Sequence, residues 1–159
     1  MENKLIINFS KTNDFDSIDY YLKNVIRRAV QATLVYEGFD RDVEVSVTLC
    51  DNAYIKKLNT KHRGKKTATD VLSFPMYDFS VEDESEIPEG ELVPLGDIVI
   101  SLERAAKQAE EIGNTFVEEV AFLTVHSTLH LLGYDHELGK EEEEAQCRAQ
   151  RDIIETLNI

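Results

Sequence analysis

The sequence predicts a layered domain of about four strands interleaved with about five helices, α/β or α+β in class. Three observations carry that expectation. Val43, Val45, Val47 and Leu49 alternate with Glu44, Ser46 and Thr48, the period of a strand with one buried face. Ile18, Leu22, Val25, Ile26, Ala29, Ala32 and Val35 recur at helical spacing. Short apolar runs and helical stretches then alternate along the chain. With 159 residues, 42% of them hydrophobic, the chain is long enough to bury one core and is read as a single domain, 1–159.

Leu5-Ile6-Ile7-Asn8-Phe9 is the first expected strand. Asp14 or Asp16 can cap a helix running from about Ser17 to Tyr36, with Gly38 as its stop. The alternating run to Leu49 follows, and Asp51 caps a short helix carrying Ile55 and Leu58, after which a basic loop is expected. Val71 to Phe74 is a short strand closed by Pro75. Residues 78–94 are acidic, hold two prolines and lack a period, which suggests a mobile loop or weak hairpin insert. Leu95 to Ser101 resumes a strand, and Leu102 to Ile112 is helical up to Gly113. Asn114 or Thr115 caps a further helix, with Glu118 and Glu119 at its positive N-terminal end. Glu141 to Leu157 forms the last helix, packing through Ala145, Ala149, Ile153 and Leu157.

Composition narrows the function classes. No apolar run approaches the ~20 residues of a membrane helix, and the N-terminus does not read as a signal peptide. Cys50 and Cys147 form no CxxC, so a disulfide framework is not expected and a reducing cytoplasm is. Cys50 ends an apolar strand and reads as a buried small hydrophobe. A net charge of −14 argues against nonspecific coating of nucleic acid. The charge is uneven, however. Lys56, Lys57, Lys61, Arg63, Lys65 and Lys66 fall in one acid-free stretch, whereas acids crowd Glu82 to Glu91 and Glu141 to Glu144. A basic run of this kind is by itself a solvated face. It gains meaning only if it faces a reactive site.

That site is expected in the run from His126 to His136, which holds three of the four histidines. His126 and His130 are one helical turn apart on one face. Gly133 ends the helix, and the short turn after it can bring His136 back toward the pair. Three neutral imidazoles with an open fourth position are the donor set of a catalytic zinc, one ion per chain. The spacing also matches the metzincin protease pattern HExxHxxGxxH, but Ser127 stands where that pattern has its catalytic glutamate. A serine hydroxyl is no base near neutral pH, and no peptide-binding edge strand is evident, so a metallopeptidase is disfavoured. His62 lies outside the ligand spacing. Asp70 reads as a general base, a partner orienting a ligand, or a turn cap. Asp97 reads as structural, in the turn entering a strand, and Asp135 as a ligand-orienting group or a turn cap.

The run His126-Ser127-Thr128-Leu129-His130-Leu131-Leu132-Gly133-Tyr134-Asp135-His136 resembles the signature of the bacterial YbeY family of metal-dependent endoribonucleases. Two further blocks agree in order and spacing. The first comprises Leu58-Asn59, His62-Arg63-Gly64 and Thr69-Asp70-Val71-Leu72-Ser73-Phe74-Pro75; the second is Leu95-Gly96-Asp97-Ile98. Ser127 departs from the family's usual glycine, a change between two small residues. The resemblance implies an α+β fold with a roughly four-stranded mixed sheet packed by about five helices. It implies zinc on His126, His130 and His136, which with Arg63 make the expected catalytic set. Arg63 falls where the family has a cleft arginine. With Lys61, Lys65 and Lys66, it is expected to hold RNA phosphates. The implied activity is that of a cytoplasmic, single-strand-specific RNase acting in 16S rRNA 3′-end maturation and ribosome quality control. Its expected partners are single-stranded rRNA and the small ribosomal subunit or its assembly factors, with no membrane. A ribosome-assembly factor with a mainly structural metal is the alternative. An open coordination position leans away from it, because structural zinc is normally closed by four protein ligands.

Overall fold

The computed structural model describes residues 3–12, 20–64, 69–134 and 139–159. Strands β1 (Leu5–Lys11), β2 (Val43–Cys50), β3 (Val71–Pro75) and β4 (Val93–Ser101) form one sheet in the order β1-β2-β4-β3. The β1–β2 and β2–β4 pairs are parallel and the β3–β4 pair is antiparallel, so the sheet is mixed. Five helices accompany it: α1 (Tyr20–Tyr36), α2 (Asn52–Arg63), α3 (Leu102–Ile112), α4 (Phe116–Leu131) and α5 (Lys140–Leu157). This is the expected α+β architecture.

The period-two pattern of β2 does what it predicts. Val43, Val45, Val47 and Leu49 are fully buried, and the intervening residues are half-exposed. They share a core with Ile26 and Val30 of α1, Leu95, Ile98 and Ile100 of β4, and Val120 and Leu123 of α4. A second cluster joins α1, α4 and α5 through Val25, Ala29, Ala121, Val125, Leu129, Ala149 and Ile153. A smaller one places Ile55 of α2 against Cys50, Leu72 and Val99. Cys50 is indeed a buried apolar residue; burial, with the charge of Asp51 adding, pushes its thiol up to about 12. Cys147 is exposed, and both cysteines are free thiols. No helix among the described residues is long and apolar enough to cross a membrane.

Several boundaries differ from the sequence expectation. The expected start of α1 at Ser17 and its caps Asp14 and Asp16 lie outside the described residues. Asp51 caps α2 as expected, its side chain accepting from the Tyr54 amide at 2.8 Å. The helix continues through Arg63, so Lys56, Lys57 and Lys61 are helical rather than part of a basic loop. Strand β4 begins two residues early, at Val93, and Asp97 sits within it opposite Phe74 instead of in a turn. The glycine before Asp97 explains how the strand passes so close to β3. Gly96 has φ 140°, and a Cβ there would lie 2.2 Å from the carbonyl oxygen of Phe74.

The acidic stretch 78–94 is neither a hairpin nor free of structure. Asp83 caps a single 3-10 turn at Glu84–Glu86, and Ile87 packs on the main core. The Arg41 guanidinium donates to the carbonyls of Glu84 (2.8 Å), Ile87 (2.7 Å) and Pro88 (2.6 Å). Aperiodic sequence concealed this anchor because its donor lies more than forty residues upstream.

Candidate active site

Helix α4 carries the site and is apolar around most of its circumference. Thr115 caps it through a reciprocal box with Glu118, which keeps the Glu118 carboxyl below its usual range by hydrogen bonding to the Thr115 backbone and hydroxyl. Buried Thr124 and Thr128 satisfy their hydroxyls on the carbonyls four residues earlier, each at 2.7 Å. The helix ends at Leu131, and Gly133, two residues on, has a φ of 110°. A Cβ there would lie 3.1 Å from the backbone of Phe79 and Ser80, so this glycine also admits the 79–80 chain against the end of α4.

On one face of α4, Phe122, His126 and His130 follow one another at successive turns. Phe122 stacks on His126 at 6.3 Å, and His126 meets His130 edge-to-face at 4.7 Å. The two Nε2 atoms are 3.2 Å apart. Two ligands at 2.0–2.1 Å from one tetrahedral zinc are about 3.3 Å apart, so this pair fits a shared ion without rearrangement. His136 and Asp135 lie outside the described residues, and among those described no group of three or more His, Cys, Asp or Glu side chains gathers to hold a metal.

His126 and His130 line a cleft of about 1340 Å³. Strand β3 from Val71 to Pro75 forms one wall, residues 76–82 another, and His62 and Arg63 at the end of α2 a third. Arg63 is the one arginine or lysine among the described lining residues. Lys61 is exposed on α2 and does not line the cleft, while Lys65 and Lys66 lie outside the described residues. His62 packs edge-to-face on Phe74 at 5.1 Å, a packing role at the cleft rim. Among the described residues β3 is an edge strand, and its residues line the cleft, so a strand edge that the sequence did not reveal borders the site. Ser127, however, is fully buried on the β3 side of α4, its hydroxyl 2.5 Å from that of Ser73. The position of the metzincin base is thus buried behind a cleft-lining serine and holds no acid.

The profile of the endoribonuclease YbeY family matches residues 7–158. The chain belongs to the YbeY family. It is similar to the endoribonuclease YbeY of Caldanaerobacter subterraneus subsp. tengcongensis, with 49% identity over 87% of this chain and 89% of that protein. The corresponding protein of Carboxydothermus hydrogenoformans is 48% identical over 89% of this chain and 90% of its own length. A solution structure of a Thermotoga maritima protein superposes with a TM-score of 0.61 at 27% identity, covering 96% of this chain and 88% of that one.

Around the histidines, this YbeY-family chain brings Asp70, already singled out in the sequence, together with groups that spacing did not reveal. Asp70 faces the cleft; its Oδ1 accepts from the Val71 amide (2.8 Å) and the Thr69 hydroxyl (3.3 Å), and its Oδ2 from Gln108 Nε2 (3.2 Å). The same Gln108 amide donates to Glu119 at 3.3 Å, and Arg104 donates to the Gln108 oxygen at 3.3 Å. Glu119 is therefore a buried group under the cleft rather than a solvated helix-start charge. Burial raises its pKa and the Asp70 charge adds to that, against a lowering by the Gln108 bond. On α5, Gln146 and Gln150 reach the far side of the His126 ring. Amides carry no motif signature, and only the packing of α3 and α5 onto α4 reveals them.

Proposed function

We propose that this YbeY-family endoribonuclease is zinc-dependent and single-strand-specific, that it works in the cytoplasm, and that its substrate is rRNA in 16S 3′-end maturation and ribosome quality control. The observation that carries the metal reading is the 3.2 Å separation of the His126 and His130 Nε2 atoms at the wall of a large cleft. His136 is the proposed third ligand. The rRNA role and the small-subunit partners rest on the resemblance of the three sequence blocks to the family.

His126 and His130, with His136 as the proposed third ligand, would hold a zinc ion, which would supply an activated water and polarise a phosphoryl oxygen. The chain's own residues do the rest. Arg63 stands at the rim with a planar fork of donors suited to a phosphodiester whose charge is growing. Asp70 lies in the cleft with its carboxylate oriented by three donors, in place to take a proton. Lys61 on α2, with Lys65 and Lys66 a few positions on in the sequence, are proposed to hold flanking phosphates, which reconciles an acidic protein with an acidic substrate.

The test is cleavage of a structured rRNA fragment by zinc-loaded protein beside a His130→Ala control, with unfolded casein as a second substrate. We expect chelator-sensitive scission in unpaired segments, loss of scission in the variant and no casein hydrolysis. Chelator-sensitive peptidase activity would reverse the reading, because the β3 edge supplies what an extended peptide needs.

A further inference from the structure

The packing stripe of α5 is apolar at Ala149, Ile153 and Leu157, yet its first turns bury two amides, Gln146 at 1% exposure and Gln150 at 6%. Burying an amide is costly unless it is hydrogen-bonded, and both side chains reach the same atom. His126 Nδ1 is 2.5 Å from Gln150 Oε1 and 3.2 Å from Gln146 Nε2. These contacts require different rings. A protonated Nδ1 donates to Gln150 and has no lone pair left for the Gln146 amide. A bare Nδ1 accepts from Gln146 and repels the Gln150 oxygen.

The shorter contact decides between them. At 2.5 Å two facing lone pairs would repel and an N–H···N pairing would be too close, so the proton lies on Nδ1 and is donated to Gln150 Oε1. The Gln146 amide, whose oxygen and nitrogen are interchangeable in shape, then turns by half a rotation so that its oxygen and not its N–H faces that proton. Both glutamines then accept from one Nδ1–H. We propose that Gln150, seconded by Gln146, is a positioning residue that holds His126 as the Nδ1-protonated tautomer and so presents the Nε2 lone pair beside His130 Nε2. The stacked Phe122 ring sets the plane of the imidazole, and the glutamines set which nitrogen is bare. A hydrogen-bond acceptor behind a ligating histidine raises ligand basicity as well as fixing its tautomer. The proposal rests on the metal reading for its purpose but not for its geometry.

The experiment has two arms on the full chain: long-range proton–nitrogen NMR of the imidazole nitrogens in zinc-free protein at pH 8, and zinc affinity by competition with a chromogenic chelator. Wild-type His126 should be protonated at Nδ1. Gln150→Leu should give mixed tautomers and bind zinc about 10- to 100-fold more weakly. Gln150→Glu should keep the tautomer and bind zinc at least as tightly as wild type, a rescue that packing alone would not produce. Protonation of wild-type His126 at Nε2 overturns the proposal. So does a Gln150→Leu protein with wild-type tautomer and affinity. If Gln150→Leu does not fold, weaker zinc binding by Gln150→Glu overturns it. An Nδ1 tautomer in a wild-type protein that binds no zinc would sink the metal reading and leave the clamp standing.

Discussion

Arg63 is the cleft's one described arginine or lysine, so its removal should be felt in turnover rather than in metal content. Arg63→Ala should cut the cleavage rate roughly 10²-fold, the usual cost of losing a donor aimed at developing charge, while zinc measured by elemental analysis stays bound. Arg63→Lys should rescue only partly, because an ammonium lacks the bidentate fork. An undiminished rate in Arg63→Ala would remove the residue from the mechanism. Glu119 offers a pH signature at the same scale. Its carboxyl is raised by burial, so between the unfolded value near 4.5 and the higher folded value the native chain binds more protons than the unfolded one. That contribution to stability is full below the unfolded value and is lost as pH rises through the folded one. Glu119→Gln keeps the shape without the charge. Its urea midpoint should match wild type near pH 4 and exceed it increasingly toward pH 8; a gap independent of pH would show that ionisation of Glu119 is not what matters.

At the scale of elements, the site depends on how closely β3 and β4 approach. Gly96→Ala must displace the Phe74 carbonyl and hold a positive φ, which should cost roughly 1–3 kcal/mol. Because Phe74 and Pro75 line the cleft, cleavage should fall further than stability accounts for. A chemical denaturation curve beside an rRNA assay checks both, and unchanged stability would mean that the strands part easily. These elements were legible to very different degrees. The parallel strands and α4 announced themselves, since burial on one face imposes period two on β2 and the threonine–glutamate box opens α4. The α2–loop boundary misled, because lysine and arginine suit a helix surface as well as a loop, and helix propensity carried α2 through to Arg63.

For the whole molecule, acidity and substrate must be reconciled by local field. Lys65→Ala with Lys66→Ala should weaken RNA binding about equally across sequences. The log–log salt slope should fall by roughly 0.7 for each phosphate of the single strand that the protein no longer neutralises. Titrating labelled RNA over a salt series reads this, and an unchanged slope would make the basic segment a solvated face. The histidine pair could be read from the sequence because a spacing of four puts two side chains on one face of a helix. The Asp70–Gln108–Glu119 chain and the two α5 glutamines could not, since their partners meet only when three helices close on the sheet.

The Arg41 anchor acts at this scale too. It grips the 84–88 segment solely by main-chain oxygens, which every amino acid supplies alike. The attachment is therefore indifferent to what the segment spells. Apart from Ile87, which packs on the core, side chains there can change without loosening the arginine's grip, whereas the distant arginine cannot. Substituting alanine at Glu84 and Glu86 should leave the amide exchange of this segment unchanged, and Arg41→Ala should speed it severalfold. The reverse order would place the anchor in the side chains, and with it a constraint on how this segment can evolve.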